Sequence, residues 1–437
     1  MSIWIIEPHD PLLFRDGRPF GASPGAIARS LPFPFPSTIA GGLRSQMGLD
    51  DQGRFRFTEK EELEHLKKVG VRGPILVQLP QKAQEKARWL VPAPLDALPF
   101  EIKKGEAEEK QPTRFTIEQL VPLTPLAEVM TDLDTGEQTQ QSLWLVGLPN
   151  HRSEKPSTNT PAYWYWERFL AWLENPKTDC WKTITAPALG IKGPATEERV
   201  HVAMDHQTHT GRDGFLFATS SLEFTANEKT EQQEEEQQPP SLAQARQLGL
   251  AVIVDEKKDI NDEALLQPQY GLGCLGSERR LVNWSPSQEN IPCCPDTIKQ
   301  SIIANSACRL VLLTPAYFAQ GYLPQWILNR PQAIKPQLKA MVNKRPQVVS
   351  GWDIVKKERK QSHRLAPAGT ILFLELQGDE PAIEEWIDEI WLHCISDDDN
   401  GPTPDQYRLD GFGLAALGTW IDKTLPLRID SDPKGKQ

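Results

Sequence analysis

No stretch of this 437-residue chain approaches the roughly 18 apolar residues that a membrane-spanning helix needs. A helical transmembrane protein is therefore excluded, and no membrane partner is expected. The N-terminus runs directly into the strand-like Ile3-Trp4-Ile5-Ile6, with no basic region followed by a long apolar stretch, so no signal peptide is expected. Cysteine is scarce. The six residues (Cys180, Cys274, Cys293, Cys294, Cys308, Cys394) form no C-x-x-C pair and no small-domain disulfide pattern, which fits reduced thiols in the cytoplasm. Also missing are H-E-x-x-H, a P-loop lysine motif and a DEDD-like carboxylate array, so a nucleotide-hydrolysing or metal-nuclease site has no support. Neither cofactor nor metal is expected.

Two motifs are present in letters and fail on chemistry. Gly21-Ala22-Ser23-Pro24-Gly25 spells the nucleophile elbow, but the oxyanion hole needs the N–H of the residue after the serine. That residue is Pro24, which has none. Gly271-x-Gly273-x-x-Gly276 spells the dinucleotide fingerprint, which requires a strand before it and a helix after it. Gln267-Pro268-Gln269-Tyr270 precedes it, and Ser277–Trp284 reads as a turn into a strand. Gly411-Phe412-Gly413 with Gly418 has the wrong spacing for either nucleotide motif, and suits a turn or a loop in close contact with a ligand. His201, His206 and His209 cluster with Asp205. Two histidines suffice for general acid–base cleavage of RNA, but a polar hairpin tip before the strand-like Phe215–Phe224 is the simpler reading.

With 39% hydrophobic and 24% charged residues, the chain reads as an ordinary globular protein of two or three domains. Its net charge of −11 is unevenly spread. Between Arg330 and Arg364 there are ten Lys/Arg against Asp353 and Glu358, a local net of +8, which leaves −11 − 8 = −19 elsewhere. Much of that lies in Glu228–Glu236, Asp379–Glu389 and Asp397-Asp398-Asp399. A basic face on an acidic body suits a protein that grips a polyanion on one side. A solvated charged surface is the plainer alternative.

Periodicity predicts a strand at Ile3–Glu7. A helix follows with Ser37-Thr38 at its N-cap and with Ile39, Leu43 and Met47 on one face; Arg44 projects away from that face. Further strands are predicted at Ile75–Leu79, Trp89–Val91, Leu250–Val254, Arg309–Leu313 and Thr370–Leu376. Helices are predicted at Tyr163–Leu173, with its aromatics in the core, and at Pro381–His393, with Ile383, Ile387, Ile390 and Trp391 inward. Residues 226–247 include the acidic run Glu228–Glu236 and read as a low-complexity insertion or linker between units 1–225 and 248–437. The fold class is α+β, sheets with helices packed on them.

The runs Asp10–Phe20 and Pro34–Arg44 resemble the N-terminal signature of the third Cmr subunit of type III-B CRISPR–Cas systems, a RAMP-superfamily family. Further blocks fit in order: His201–Phe224, Leu275–Arg280, Leu313–Phe318, Val349–Asp353 and the glycine-rich Gly411–Trp420. The resemblance implies two ferredoxin-like (RRM-like) domains with insertions and a glycine-rich loop near the C-terminus. It also implies a non-catalytic subunit that caps a ribonucleoprotein filament and holds the repeat-derived 5′ tag of the crRNA. Its partners would be the large polymerase/cyclase-like subunit and backbone RAMP subunits, with target RNA met only indirectly.

The residues themselves are compatible with RNA binding. The helix beginning at Ser37 and Thr38 offers free N–H groups and a positive dipole end. Arg15, Arg18, Arg44, Arg279, Arg280, Lys356, Lys357, Arg359 and Lys360 are candidate phosphate ligands, with Gly411 and Gly413 as candidate points of close approach. Phe14, Phe20 and Trp352 are candidate stacking residues, although core packing is the simpler role for each. Two other readings stay open: a metal-independent RAMP endoribonuclease that processes precursor crRNA through the histidines, and a structural protein with no RNA contact. Converting Lys356, Lys357 and Lys360 together to Glu should weaken guide-RNA binding and flatten its salt dependence by about one log unit per lost phosphate contact, read by filter binding across a salt series.

Overall fold

A computed structural model describes residues 1–15, 27–28, 30–82, 85–100, 116–130, 143–149, 154–158, 160–177, 180–226, 245–260, 265–350, 352–353, 358–359, 361–399 and 403–421. Most of it is sheet, with few helices. In chain order the principal elements of the first half are β1 (Ser2–Pro8), α1 (Pro36–Met47), β2 (Val71–Gln78), α2 (Trp166–Glu174), β3 (Ala195–Met204) and β4 (Gly211–Glu223). Next come β5 (Arg246–Val254), β6 (Gly271–Leu275), β7 (Arg280–Pro286), α3 (Asp296–Asn305), β8 (Ala307–Leu312), β9 (Lys335–Val342), β10 (Gln347–Val349), β11 (His363–Ala366), β12 (Ile371–Gln377), α4 (Glu380–Ile390) and β13 (Ala415–Thr419).

Two large sheets organise these elements. The first has the central order β2-β5-β1-β7-β6 and is lengthened beyond β2 by the short strands Arg88–Pro92, Tyr163–Tyr165 and Gly190–Ile191. The second has the central order β13-β8-β12-β9 and is lengthened beyond β9 by the strands Trp144–Gly147 and Thr124–Met130. Both place four antiparallel strands in the spatial order fourth, first, third, second of their appearance in the chain. The boundary expected at 226–247 does not coincide with this division. β5 begins at its last two residues and β6 and β7 follow it, yet all three join β1 in the first sheet, because that order returns late strands to the first one.

Three helices, α1, α2 and α4, form close to where apolar spacing predicted them, whereas α3 was not expected. Ile39, Leu43 and Met47 lie buried against Trp4, Ile6 and Trp284, which is worth about 1.5–3 kcal/mol per large side chain. The expected N-cap is corrected: Pro36 occupies the first turn and holds Phe35 extended as the N-cap, so Ser37 and Thr38 stand inside the first turn. The aromatic run becomes a short strand, Tyr163–Tyr165, followed by α2. Trp164, Phe169 and Trp172 are buried in the large core between the two sheets. In α4, Ile383, Ile387 and Ile390 are buried as expected, with Trp391 just beyond. All six cysteines are free thiols. Among the described residues no helix is long and apolar enough to cross a membrane.

The sheets are joined by buried arginine pairs. Arg309 in β8 meets Asp96, from the loop after Arg88–Pro92, with side-chain exposures of 3% and 0%. Arg309 also donates to the carbonyls of Thr419 (2.7 Å) and Trp172 (2.9 Å), and Asp96 accepts the Trp172 indole N–H at 2.9 Å. Replacing Arg309 by Leu would strand the Asp96 carboxylate without its counter-charge and should cost about 3–5 kcal/mol. Urea unfolding of the purified variant measures this, and the double change Arg309→Leu with Asp96→Leu should recover most of the loss.

Candidate nucleic-acid interface

β10 and β11 form a hairpin in the register Gln347↔Leu365 and Val349↔His363, continued by Trp352↔Arg359 and Asp353↔Glu358. The basic segment is thereby folded into an arm. Lys344, Arg345 and Arg364 are exposed at its base, while Arg330 pairs with Glu389 and Lys339 with Glu375 at 3.1 Å. The +8 of the segment is therefore partly neutralised by acids from outside it.

At the arm's base His363 meets a ring cluster. It lies edge-on to Tyr317 at 4.8 Å, and Tyr317 stacks on Tyr407 at 4.5 Å with 20° between the planes. Tyr407 touches Phe412 at 5.2 Å, and Phe412 reaches Phe35, the N-cap of α1, at 6.4 Å. Contacts thus run unbroken from the arm to the start of α1, where first-turn N–H groups lack intrahelical acceptors. The Thr38 N–H turns back to the Phe35 carbonyl at 3.0 Å. Tyr317, Tyr407 and His363 are partly buried. Burial raises the Tyr317 phenol above its ordinary value, helped by Asp399 and Asp397, and raises Tyr407 further, helped by Asp399. Asp397 is itself raised by burial, although the amides of Trp326 and Ala319, at 2.8 and 2.9 Å, pull it the other way.

A second locus lies in the first sheet. Leu13 bridges Ser277, which sets the segment ending at Arg15 beside the tight turn between β6 and β7. Arg15 and Arg279 are exposed; Glu278 and Arg279 hold φ of +60° and +51°. Arg280 is mostly covered and pairs with Glu278 at 2.6 Å. The glycine fingerprint is a β-hairpin here, which rules out the dinucleotide reading.

Three expected ligands are corrected. Arg44 is buried: it pairs with Asp410 and donates to the carbonyls of Val69 and Leu409 at 2.8 Å, so it ties α1 to the C-terminal loop. Gly411, at φ +96°, is pressed onto β2, where a Cβ would stand 2.6 Å from the Gly73 carbonyl oxygen. Gly413, at φ +80°, is packed as tightly, its Cβ position 2.9 Å from Ser396 N. These glycines permit protein backbone, rather than RNA, to approach. Phe14 is core, at 2% exposure. Arg359 is placed only by its backbone pairing with Trp352, while Arg18, Phe20, Lys356, Lys357, Lys360 and the Gly21–Gly25 motif lie outside the described residues.

The histidines sit on the β3–β4 ribbon. His201 stacks on Phe217 and shares a 2.9 Å hydrogen bond with the Thr219 hydroxyl. His206 and His209 are exposed at the tip, a turn organised by Asp205, which accepts from the Gln207 and Thr208 amides. Those amides hold the Asp205 carboxyl below its ordinary value. Among the described residues no group of three His, Cys, Asp or Glu comes together to hold a metal ion.

Sequence reading missed Tyr317, His363 and Tyr407. The available signal was a tyrosine within each of two glycine- or proline-bounded runs, but nothing local brings residues so far apart in sequence together.

A family model described as CRISPR-associated protein (Cas_Cmr3) matches residues 4–420. No curated protein matches the chain. Similar solved structures include chains of the type III-B Cmr-beta complex. One, bound to cognate target RNA, is 15% identical, covers 98% of this chain and 99% of its own, and has a TM-score of 0.42. Another, bound to cognate target RNA and AMPPnP, is 14% identical over 89% and 88%, at 0.40. A chain of the Csm3–Csm4 subcomplex of the type III-A interference complex is 9% identical over 87% and 94%, at 0.29. At these scores no residue role is transferred.

The phenols give a pH signature. The unfolded chain releases tyrosine protons near pH 10, whereas the folded chain holds those of Tyr317 and Tyr407 to higher pH. Their contribution to stability is therefore complete below about pH 10 and falls as pH rises past it. Melting curves from pH 8 to 11 should fall less steeply for Tyr407→Phe than for the parent chain.

Proposed function

The chain belongs to the Cas_Cmr3 family of CRISPR-associated proteins, and we propose that it is a non-catalytic RNA-binding subunit that caps the type III-B effector complex and holds the repeat-derived 5′ tag of the crRNA. The observation that carries this reading is the continuous run from the basic arm, through Tyr317, Tyr407 and His363, to the N-terminus of α1. Single-stranded RNA needs cations and N–H groups for phosphates, and ring edges and faces for unstacked bases. Asp397 and Asp399 border the rings. That setting favours the amino edges of bases over phosphates at this point, and leaves the phosphates to Lys344, Arg345, Arg364 and, on the first sheet, Arg15 and Arg279.

The shared strand order of the two sheets supports two ferredoxin-like halves, with the break after β7 rather than at the acidic insertion. In the first sheet no helix stands between β5 and β7 among the described residues, a departure from the ideal unit. The large polymerase/cyclase-like subunit and the backbone RAMP subunits are the partners this role requires. The settings of His201, His206 and His209 favour a hairpin-tip role over the nuclease alternative.

Binding of a short RNA with the tag sequence, measured over a salt series, tests the reading. Arg279→Glu should weaken it about tenfold and lower the salt slope by about one. Tyr317→Ala should weaken it by about 1–3 kcal/mol with the slope unchanged. Unaltered affinity in both variants would refute the tag-binding role, and metal-free cleavage of repeat RNA, lost on His→Ala change, would establish the nuclease.

A further inference from the structure

We propose that the outer edge of β6 receives an extended segment of a neighbouring protein chain as an added strand. β6 ends the first sheet: among the described residues it pairs with β7 on one side only. Alternate residues of such a strand turn their backbone N–H and C=O groups outward, a template for another strand.

Folded proteins guard such edges with lysine, proline, a bulge or an inward charge. β6 has none of these. Its sequence is Gly-Leu-Gly-Cys-Leu, and its register with β7 runs unshifted from Gly271↔Trp284 to Leu275↔Arg280. From Leu265 to Ser277 thirteen residues pass without one charge, in a chain that is 24% charged. The strand is also fixed in place. Gly273 lies so close to α1 that a Cβ would stand 2.4 Å from the Gln46 amide nitrogen, and Leu275 is buried.

The opposite face of the ribbon is apolar and open. Tyr270 is 74% exposed and Leu272 66%, and Leu281, paired with Cys274, is 37% exposed. This surface selects the kind of partner. A polyanion finds no cation on it, and a lipid surface cannot satisfy a row of peptide groups. An extended, uncharged peptide segment with apolar side chains at alternate positions does both. The strand stops at the turn that carries Arg279, so the added segment would lie beside the proposed RNA contact without using it. The inference rests on the family's place in a multi-subunit complex and not on the tag-binding reading.

Hydrogen exchange of the full chain, alone and in the complete complex co-expressed with its other subunits and guide RNA, tests it. Amides within 270–275 should exchange at least tenfold more slowly in the complex. Leu272→Lys, which restores an edge lysine at an exposed position, should reduce recovery of one protein subunit at least tenfold. Tag-RNA affinity and melting temperature of the isolated variant should be unchanged; Tyr270→Lys serves as the second variant. Unchanged exchange at 270–275, or full assembly of both variants, overturns the proposal. Concentration-dependent protection in the isolated chain, abolished by Leu272→Lys, would assign the edge to a second copy of this chain and overturn it equally.

Discussion

Three arginines bind the two sheets into one body, and each does so from a buried position. Arg309 crosses from β8 to Asp96. Arg72, in β2, donates to the Leu392 carbonyl at 3.2 Å while paired with Asp255 at 2.8 Å. Arg44 crosses from α1 to Asp410. Desolvating a guanidinium costs several kcal/mol, and only a nearly complete set of acceptors offsets it. The acceptors here are mainly backbone carbonyls at strand and helix ends. Each arginine therefore fixes the position of a chain reversal as well as its charge partner. Leu392, buried at φ +51°, keeps this sparsely populated conformation because its N–H goes to Ala415 and its carbonyl to Arg72.

The candidate interface inherits its geometry from these clamps. Arg44 reaches Asp410 and the Leu409 carbonyl, immediately beyond Tyr407 and before Phe412. Gly411 between them is seated on the β2 backbone, and its carbonyl accepts the Thr314 hydroxyl at 2.7 Å. Thr314 stands three residues before Tyr317. The rings thus gather where α1, β2 and the C-terminal loop are already locked, which suits a stacking surface that must not rearrange when a base arrives.

How far the sequence disclosed this depends on the range of each interaction. The face of α1 was legible because Ile39, Leu43 and Met47 repeat at helical spacing, and the same holds for α4. The cap was misread because Ser37 and Thr38 have the favoured chemistry, while Pro36 has the favoured backbone and prevailed. Arg44 was unreadable. A helix wheel shows only that it leaves the apolar face, and its acid lies 366 residues away. The glycines near the C-terminus were expected as points of close approach to RNA, but a glycine does not say whether RNA or protein backbone comes close, and here it is backbone. The sheet division was obscured for a topological reason, since β5 and β7 return to flank β1 after a long excursion.

The distribution of cations then bears on selectivity. An acidic chain that commits Arg44, Arg72 and Arg309 to its interior, and Arg330, Lys339 and Arg408 to nearby acids, has less positive charge to offer a polyanion than its sequence suggests. Acidic faces repel a phosphate backbone, as the outer face of α4 does with Glu384 and Glu385. If the arm and the 276–280 turn contact RNA as proposed, repulsion by the acidic faces would restrict where a polyanion can settle. A uniformly basic protein would bind RNA more tightly and in more registers. In the proposed role, the acidity that first argues against an RNA-binding protein would narrow the places at which a short RNA end can bind.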